Sequence, residues 1–120
     1  MIWPNQAKSA FNLGFDLDGE TIWRNKARRL PGGDSFLKGP SIGGYGPRKG
    51  AYRILEILKE FDLKATWFIP AVMIEEHQAV VEKILDGGHE ISHHVMTIRE
   101  DTETHWNNSR SMLRKARSCF

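Results

Sequence analysis

Two short stretches hold the residues able to do chemistry. The first is FDLDGE at 15–20, which places Asp16, Asp18 and Glu20 at every second position. Side chains two apart on an extended chain share a face, so Asp16 and Asp18 can point into one pocket. Two carboxylates there can divide the work, one binding a cation and the other acting as base. The same residue types are also ordinary turn formers where a strand runs into a loop. The second stretch is GHEISHH at 88–94, with His89, His93 and His94. Imidazoles this dense are ready ligands for a borderline ion such as zinc. One buried structural histidine with two exposed ones is the plainer arrangement, and the acidic pair at another strand end favours the metal site.

These groups need elements to hold them. Residues 11–15 (FNLGF) form a short apolar run ending at Asp16 and read as a buried strand. Residues 19–47 are rich in Gly, Pro and Arg, with PGGD and IGGYGP as turn signals, and read as a loop whose length suggests function. Within it Arg24, Lys26, Arg28 and Arg29 form a basic run, expected to be solvated. Ala51, Ile54, Leu55, Leu58 and Phe61 recur at helical spacing. Residues 65–69 (ATWFI) predict a strand stopped by Pro70, with Trp67 and Phe68 in the core. Ile74, Val80, Val81, Ile84 and Leu85 predict a second helix, closed by Gly87 or Gly88 in the left-handed conformation. Residues 89–92 predict a third strand that delivers His93 and His94 at its C-terminal end, with His89 structural behind it. Trp106, Ser109, Met112, Leu113 and Ala116 sit at the spacing of a last helix.

Strand, long loop, helix, strand, helix, strand, helix argues for an α/β fold with parallel strands joined by right-handed crossovers. Catalytic groups in such folds collect at the C-terminal strand ends, where both motifs fall. Three βα units are fewer than the seven or eight of a closed barrel of this kind. A small open sheet, self-association, or completion by another chain would resolve the exposed edges.

At 120 residues there is room for one domain, and 40% hydrophobic with 27% charged residues is an ordinary composition. A net charge of +2 is too small to imply nucleic acid or an anionic membrane as partner. Cys119 is the one cysteine and has no internal partner, which fits a reducing compartment. MIWPNQAKSAF lacks the pattern of a secretory signal, and no apolar run approaches the roughly 18–20 residues that span a bilayer. A cytoplasmic location is expected.

FDLDGETIW, GGYGPRKG, LKATWFIP and GHEISHH, in this order, resemble the polysaccharide deacetylase (NodB-homology) family. The likeness is greatest to its cytoplasmic branch of peptidoglycan-deacetylase-like and allantoinase-like proteins, and it runs over residues 11–100. The resemblance implies the N-terminal portion of a distorted (β/α) barrel, here incomplete, and hydrolysis of an N-acetyl or related amide in a sugar polymer or small cyclic amide. It implies Asp16 as general base, with Asp18 and His94 as ligands of a divalent ion (Zn, Co or Ni). His94 corresponds to the first histidine of a His-x-x-x-His pair whose second place holds Ile98. Val95 and Met96 replace the usual glycine and aromatic residue.

A catalytic zinc takes three protein ligands and leaves a fourth position for water. Asp18 and His94 supply two, so weak metal binding is expected. His93 points to the opposite face if that stretch is extended; Glu100 or His105 could approach from the following loop. The family's later motifs have no counterpart before Phe120, so a truncated, degenerate or half-domain product, weakly active or inactive alone, is an expectation here. FDLDGETI is also close to the Asp-x-Asp-Gly-Thr loop of haloacid-dehalogenase-like phosphatases. That alternative makes Asp16 the nucleophile, Asp18 the acid/base and magnesium the ion. It has Glu20 where Thr belongs, and no part for GHEISHH.

Overall fold

Thr66 and Phe68 alternate with Trp67 and Ile69, and this period of two decides which side of a strand is covered. The structure, a computed structural model, describes residues 4–29, 31, 32, 38–94 and 111. In it β2 (Thr66–Ile69) is the middle of a three-stranded sheet, parallel to β1 (Gly14–Asp16) on one side and β3 (Glu90–His93) on the other. Gly14, Thr66 and Glu90 lie in register, followed by Phe15, Trp67 and Ile91, then Asp16, Phe68 and Ser92. Trp67 and Ile69 are buried in one core with Leu17, Ala51, Leu58, Met73, Ile74, Val80, Val81 and Ile84. Phe15 leans on Trp67 with ring centroids 5.0 Å apart. Burying each of the larger side chains contributes about 1.5–3 kcal/mol.

The helices covering this core are α3 (Ala51–Glu60), α4 (Ala71–Glu76) and α5 (Gln78–Asp86). A wide helical turn, Gly46–Gly50, runs straight into α3. Two of the three helices end alike. The Leu63 N–H reaches back to the Leu58 carbonyl at 2.8 Å, and the His89 N–H to the Ile84 carbonyl at 3.2 Å. Each closure turns on one left-handed residue, Asp62 (φ 50°) and Gly88 (φ 71°) respectively. Gly88, and not Gly87, thus takes the left-handed position.

Several expectations shift. β1 begins at Gly14, and Phe11 is 78% exposed. Pairing with β2 starts only where the Leu13 carbonyl accepts the Thr66 N–H, which leaves Phe11 beyond the sheet. The expected loop 19–47 contains two helices, α1 (Thr21–Arg28) and α2 (Lys38–Gly43). TIWRNKAR holds neither Gly nor Pro, and its first residue anchors it: Thr21 donates to the Asp18 carbonyl from Oγ1 (2.5 Å) and N (3.1 Å). The expected helix over Ile74–Leu85 is two, α4 and α5, broken at His77 (φ −128°, ψ 46°). The break keeps Ile74, Val80 and Val81 all buried, so apolar periodicity does not reveal it. Phe61 lies past the end of α3 and is 65% exposed. The expected last helix at 106–116 lies outside the described residues, as do Val95, Met96, Ile98, Glu100, His105 and Cys119. Among the described residues no helix is long and apolar enough to cross a membrane.

Candidate active site at the strand ends

Asp18 and His94 are 76 residues apart in sequence, yet Asp18 Oδ1 and His94 Nδ1 lie 2.9 Å apart. The central strand brings them together. Leu17 donates its N–H to the Phe68 carbonyl at 2.9 Å, and His94 donates its N–H to the Ile69 carbonyl at 3.2 Å. The ends of β1 and β3 are thus fastened to consecutive residues of β2. Their backbones stand about 10 Å apart, two strand spacings, a gap that an aspartate and an imidazole can close from opposite sides. Both side chains are partly covered, at 19% exposure for Asp18 and 32% for His94.

The turn after Asp18 is built for a sharp exit. Gly19 is left-handed (φ 53°), and a Cβ there would come within 2.1 Å of the Met73 methyl. Leu17 is buried, with exposed Asp16 before it and half-buried Asp18 after it. That alternation keeps both carboxylates off the core side, as the two-residue spacing predicts. His93 pairs in register with the fully buried Ile69, on the helix-covered side, while His94 turns to Asp18. Burial, and then the neighbouring His94, hold the His93 pKa below its usual value. His89 is buried at the far end of β3, and its Nδ1 accepts the Ala65 N–H at 3.3 Å.

A second cluster lies beside the first. Glu20 is nearly fully buried, with Oε2 3.2 Å from His77 Nε2 and Oε1 3.4 Å from the Arg48 guanidinium. One helical turn further on, Arg24 donates to Glu76 Oε1 at 2.7 Å. That hydrogen bond raises the Arg24 pKa above its ordinary value. A glutamate–histidine hydrogen bond and an ion pair thus fasten α1 to the junction of α4 and α5. Sequence reasoning missed His77 and Glu76 and left Arg48 between turn chemistry and pocket shaping or a subunit contact, because partners 57, 52 and 28 residues apart leave no spacing signature.

The donor sets of the two clusters differ in what they fit. Ligands set about 2.0–2.1 Å from a zinc ion stand roughly 3 Å from one another, close to the Asp18–His94 separation. Glu20, Glu76 and His77 offer ligand atoms within 4.8 Å of one another, the one such group of three among the described residues. There, however, Arg24 and Arg48 already balance both carboxylates, which disfavours a cation.

The family model for polysaccharide deacetylase matches residues 44–119. That range holds His77 and His94 and begins after Asp16, Asp18 and Glu20. A peptidoglycan deacetylase of Helicobacter pylori is 32% identical over 81 residues, covering 68% of this chain and 26% of that protein. Among solved structures, a polysaccharide-deacetylase-type protein from Mycobacterium smegmatis is 28% identical with a TM-score of 0.71, over 95% of this chain and 41% of that one. The Puue allantoinase is 22% identical with a TM-score of 0.72, over 95% of this chain and 45% of that one. The chain therefore spans about a quarter of the curated relative and under half of either solved chain. Its α/β fold is that of part of a NodB-type structure.

Proposed function

The chain belongs to the polysaccharide deacetylase family, and from that premise we propose that it carries the Asp16, Asp18 and His94 portion of a metal-dependent amide hydrolase site for N-acetylated sugars. The observation that supports this most is the 2.9 Å approach of Asp18 to His94 at the C-terminal strand ends. An oxygen and a nitrogen donor there suit a divalent ion such as Zn, Co or Ni. When bound, such an ion supplies Lewis-acid polarisation of the amide carbonyl and a more acidic water. Asp18 and His94 hold and orient. Asp16, exposed on the same side of β1, takes the proton of the attacking water as that water adds to the carbonyl, and the proton then goes to the departing amine. The phosphatase alternative leaves the His94 contact without a role.

Two ligands come from the described residues. Ile98, where the family resemblance places a second histidine, cannot ligate. We therefore expect metal affinity well below that of a three-ligand site, and weak hydrolysis by this chain. Isothermal titration with Zn²⁺ or Co²⁺ tests both parts. Weak binding that disappears in Asp18→Ala and His94→Ala, and tightens at least tenfold in Ile98→His, is the expected result. Tight one-to-one binding by the unaltered chain, lost in those alanine variants, would overturn the weak-site reading. Binding indifferent to Asp18 and His94 would overturn their assignment.

A further inference from the structure

Asp18 sits on a turn that is tied down residue by residue. Its carbonyl accepts two hydrogen bonds from Thr21, one from the backbone N–H and one from the hydroxyl, so residues 18–21 close on themselves. A Cβ on Gly19 would strike Met73 and come within 3.6 Å of Pro47. The backbone of Gly43 and Gly44 lies against the same turn. A Cβ on Gly43 would stand 2.5 Å from the Gly19 carbonyl oxygen, and one on Gly44 would stand 2.8 Å from Glu20 Oε1. Backbones approach this closely only where no side chain intervenes.

Glu20 sends its carboxylate inward from this turn, and a buried carboxylate needs partners to stay there. It has two, His77 at 3.2 Å and Arg48 at 3.4 Å. Arg48 is 67% exposed and screened by solvent, whereas His77 is 17% exposed and seated where α4 meets α5, so His77 is the firmer anchor. The sheet holds Asp18 from one side, through the Leu17 N–H on the Phe68 carbonyl. Glu20 holds it from the other. The contact being held tolerates little movement, because a shift of about 1 Å takes a 2.9 Å approach past hydrogen-bond reach.

We propose that Glu20, anchored on His77, is a positioning residue that sets the direction of Asp18 towards His94. The proposal rests on the metal-dependent hydrolase reading above and adds to it a residue that acts on the site only through the turn.

The test reads the folded chain by NMR, first without metal and then through a Co²⁺ titration. In the metal-free chain the His94 imidazole signals should move on Asp18→Asn, which marks the 2.9 Å contact. Glu20→Ala should move them the same way and weaken Co²⁺ binding by about tenfold, as loss of a group that orients a ligand does. Glu20→Gln, equal in length and still able to accept from His77, should restore most of both. Glu76→Gln removes the other anchor of α1, one helical turn further on, and should change neither. His77→Phe, which keeps the ring volume, should act like Glu20→Ala and replaces it if that variant does not fold. Wild-type signals and affinity in Glu20→Ala and His77→Phe, with both altered in Asp18→Asn, overturn the positioning role and leave the hydrolase reading standing. Glu20→Gln as impaired as Glu20→Ala makes charge the cause and overturns the role. Glu76→Gln equally impaired makes it a general loosening of α1, with the same result. His94 signals and Co²⁺ binding that ignore Asp18→Asn overturn the positioning role and the site reading together.

Discussion

His89 fills a narrow place at the rear of the sheet, accepting the Ala65 N–H through Nδ1 and standing edge-on to Trp67 with ring centroids 6.5 Å apart. Burial, and then the nearby Lys64 charge, hold its pKa below the usual value of about 6.5. The folded chain therefore keeps this ring neutral at pH values where the unfolded chain would protonate it. Its contribution to stability is complete above about 6.5 and is lost as pH falls from there through the folded-state pKa. Urea melts followed by tryptophan fluorescence should show lower stability on the acid side of that window. His89→Asn, which retains an acceptor for Ala65, should shrink the loss. An undiminished loss would shift the effect to His93, whose pKa is lowered as well. Ala65 and His89 meet because the hydrogen-bonded end of α5 delivers the ring beside the start of β2, and the sequence reading of His89 as structural agrees with that place.

Among the elements, α3 closes on a left-handed Asp62 where α5 closes on Gly88. A left-handed L-residue is strained, so Asp62→Gly should stabilise the fold by about 0.5–1 kcal/mol, measured as a higher denaturation midpoint with an unchanged urea slope. The two anchors of α1 should respond very differently to truncation. Arg24 and Glu76 are 40% and 37% exposed, and Glu76→Gln should cost under about 1 kcal/mol. Glu20 is 5% exposed and meets both His77 and Arg48, so Glu20→Ala should cost about 1–3 kcal/mol. Similar costs for the two variants would mean that Glu20 is no hub.

For the whole molecule, ion binding and folding should be linked. At a free Co²⁺ or Zn²⁺ concentration about 100 times its Kd, the native state gains about 2.7 kcal/mol, visible as a raised melting temperature that Asp18→Asn abolishes. A rise that survives Asp18→Asn would place the ion elsewhere. Much of this molecule was legible beforehand. The βαβαβ order followed from apolar spacing, and the convergence of the two motifs followed from their placing at strand ends, whereas the pairing of Asp18 with His94 in particular was implied by the family resemblance. The helices in 19–50 were obscured by Gly and Pro on either side of α1, since turn residues are read as loop even where TIWRNKAR is helical. The Glu20 hub was obscured because its partners are joined only by tertiary packing. That packing has a consequence in time. His77 and Glu76 are 57 and 52 residues from their partners, and separations of that size pay closure entropy before any contact rewards it. Local helices and the β2–α5–β3 unit can form early, whereas α1 can settle only on a junction that already exists. Assembly of the sheet and docking of α1 are then separate events, and pulsed hydrogen exchange should find the amides of α1 protected last.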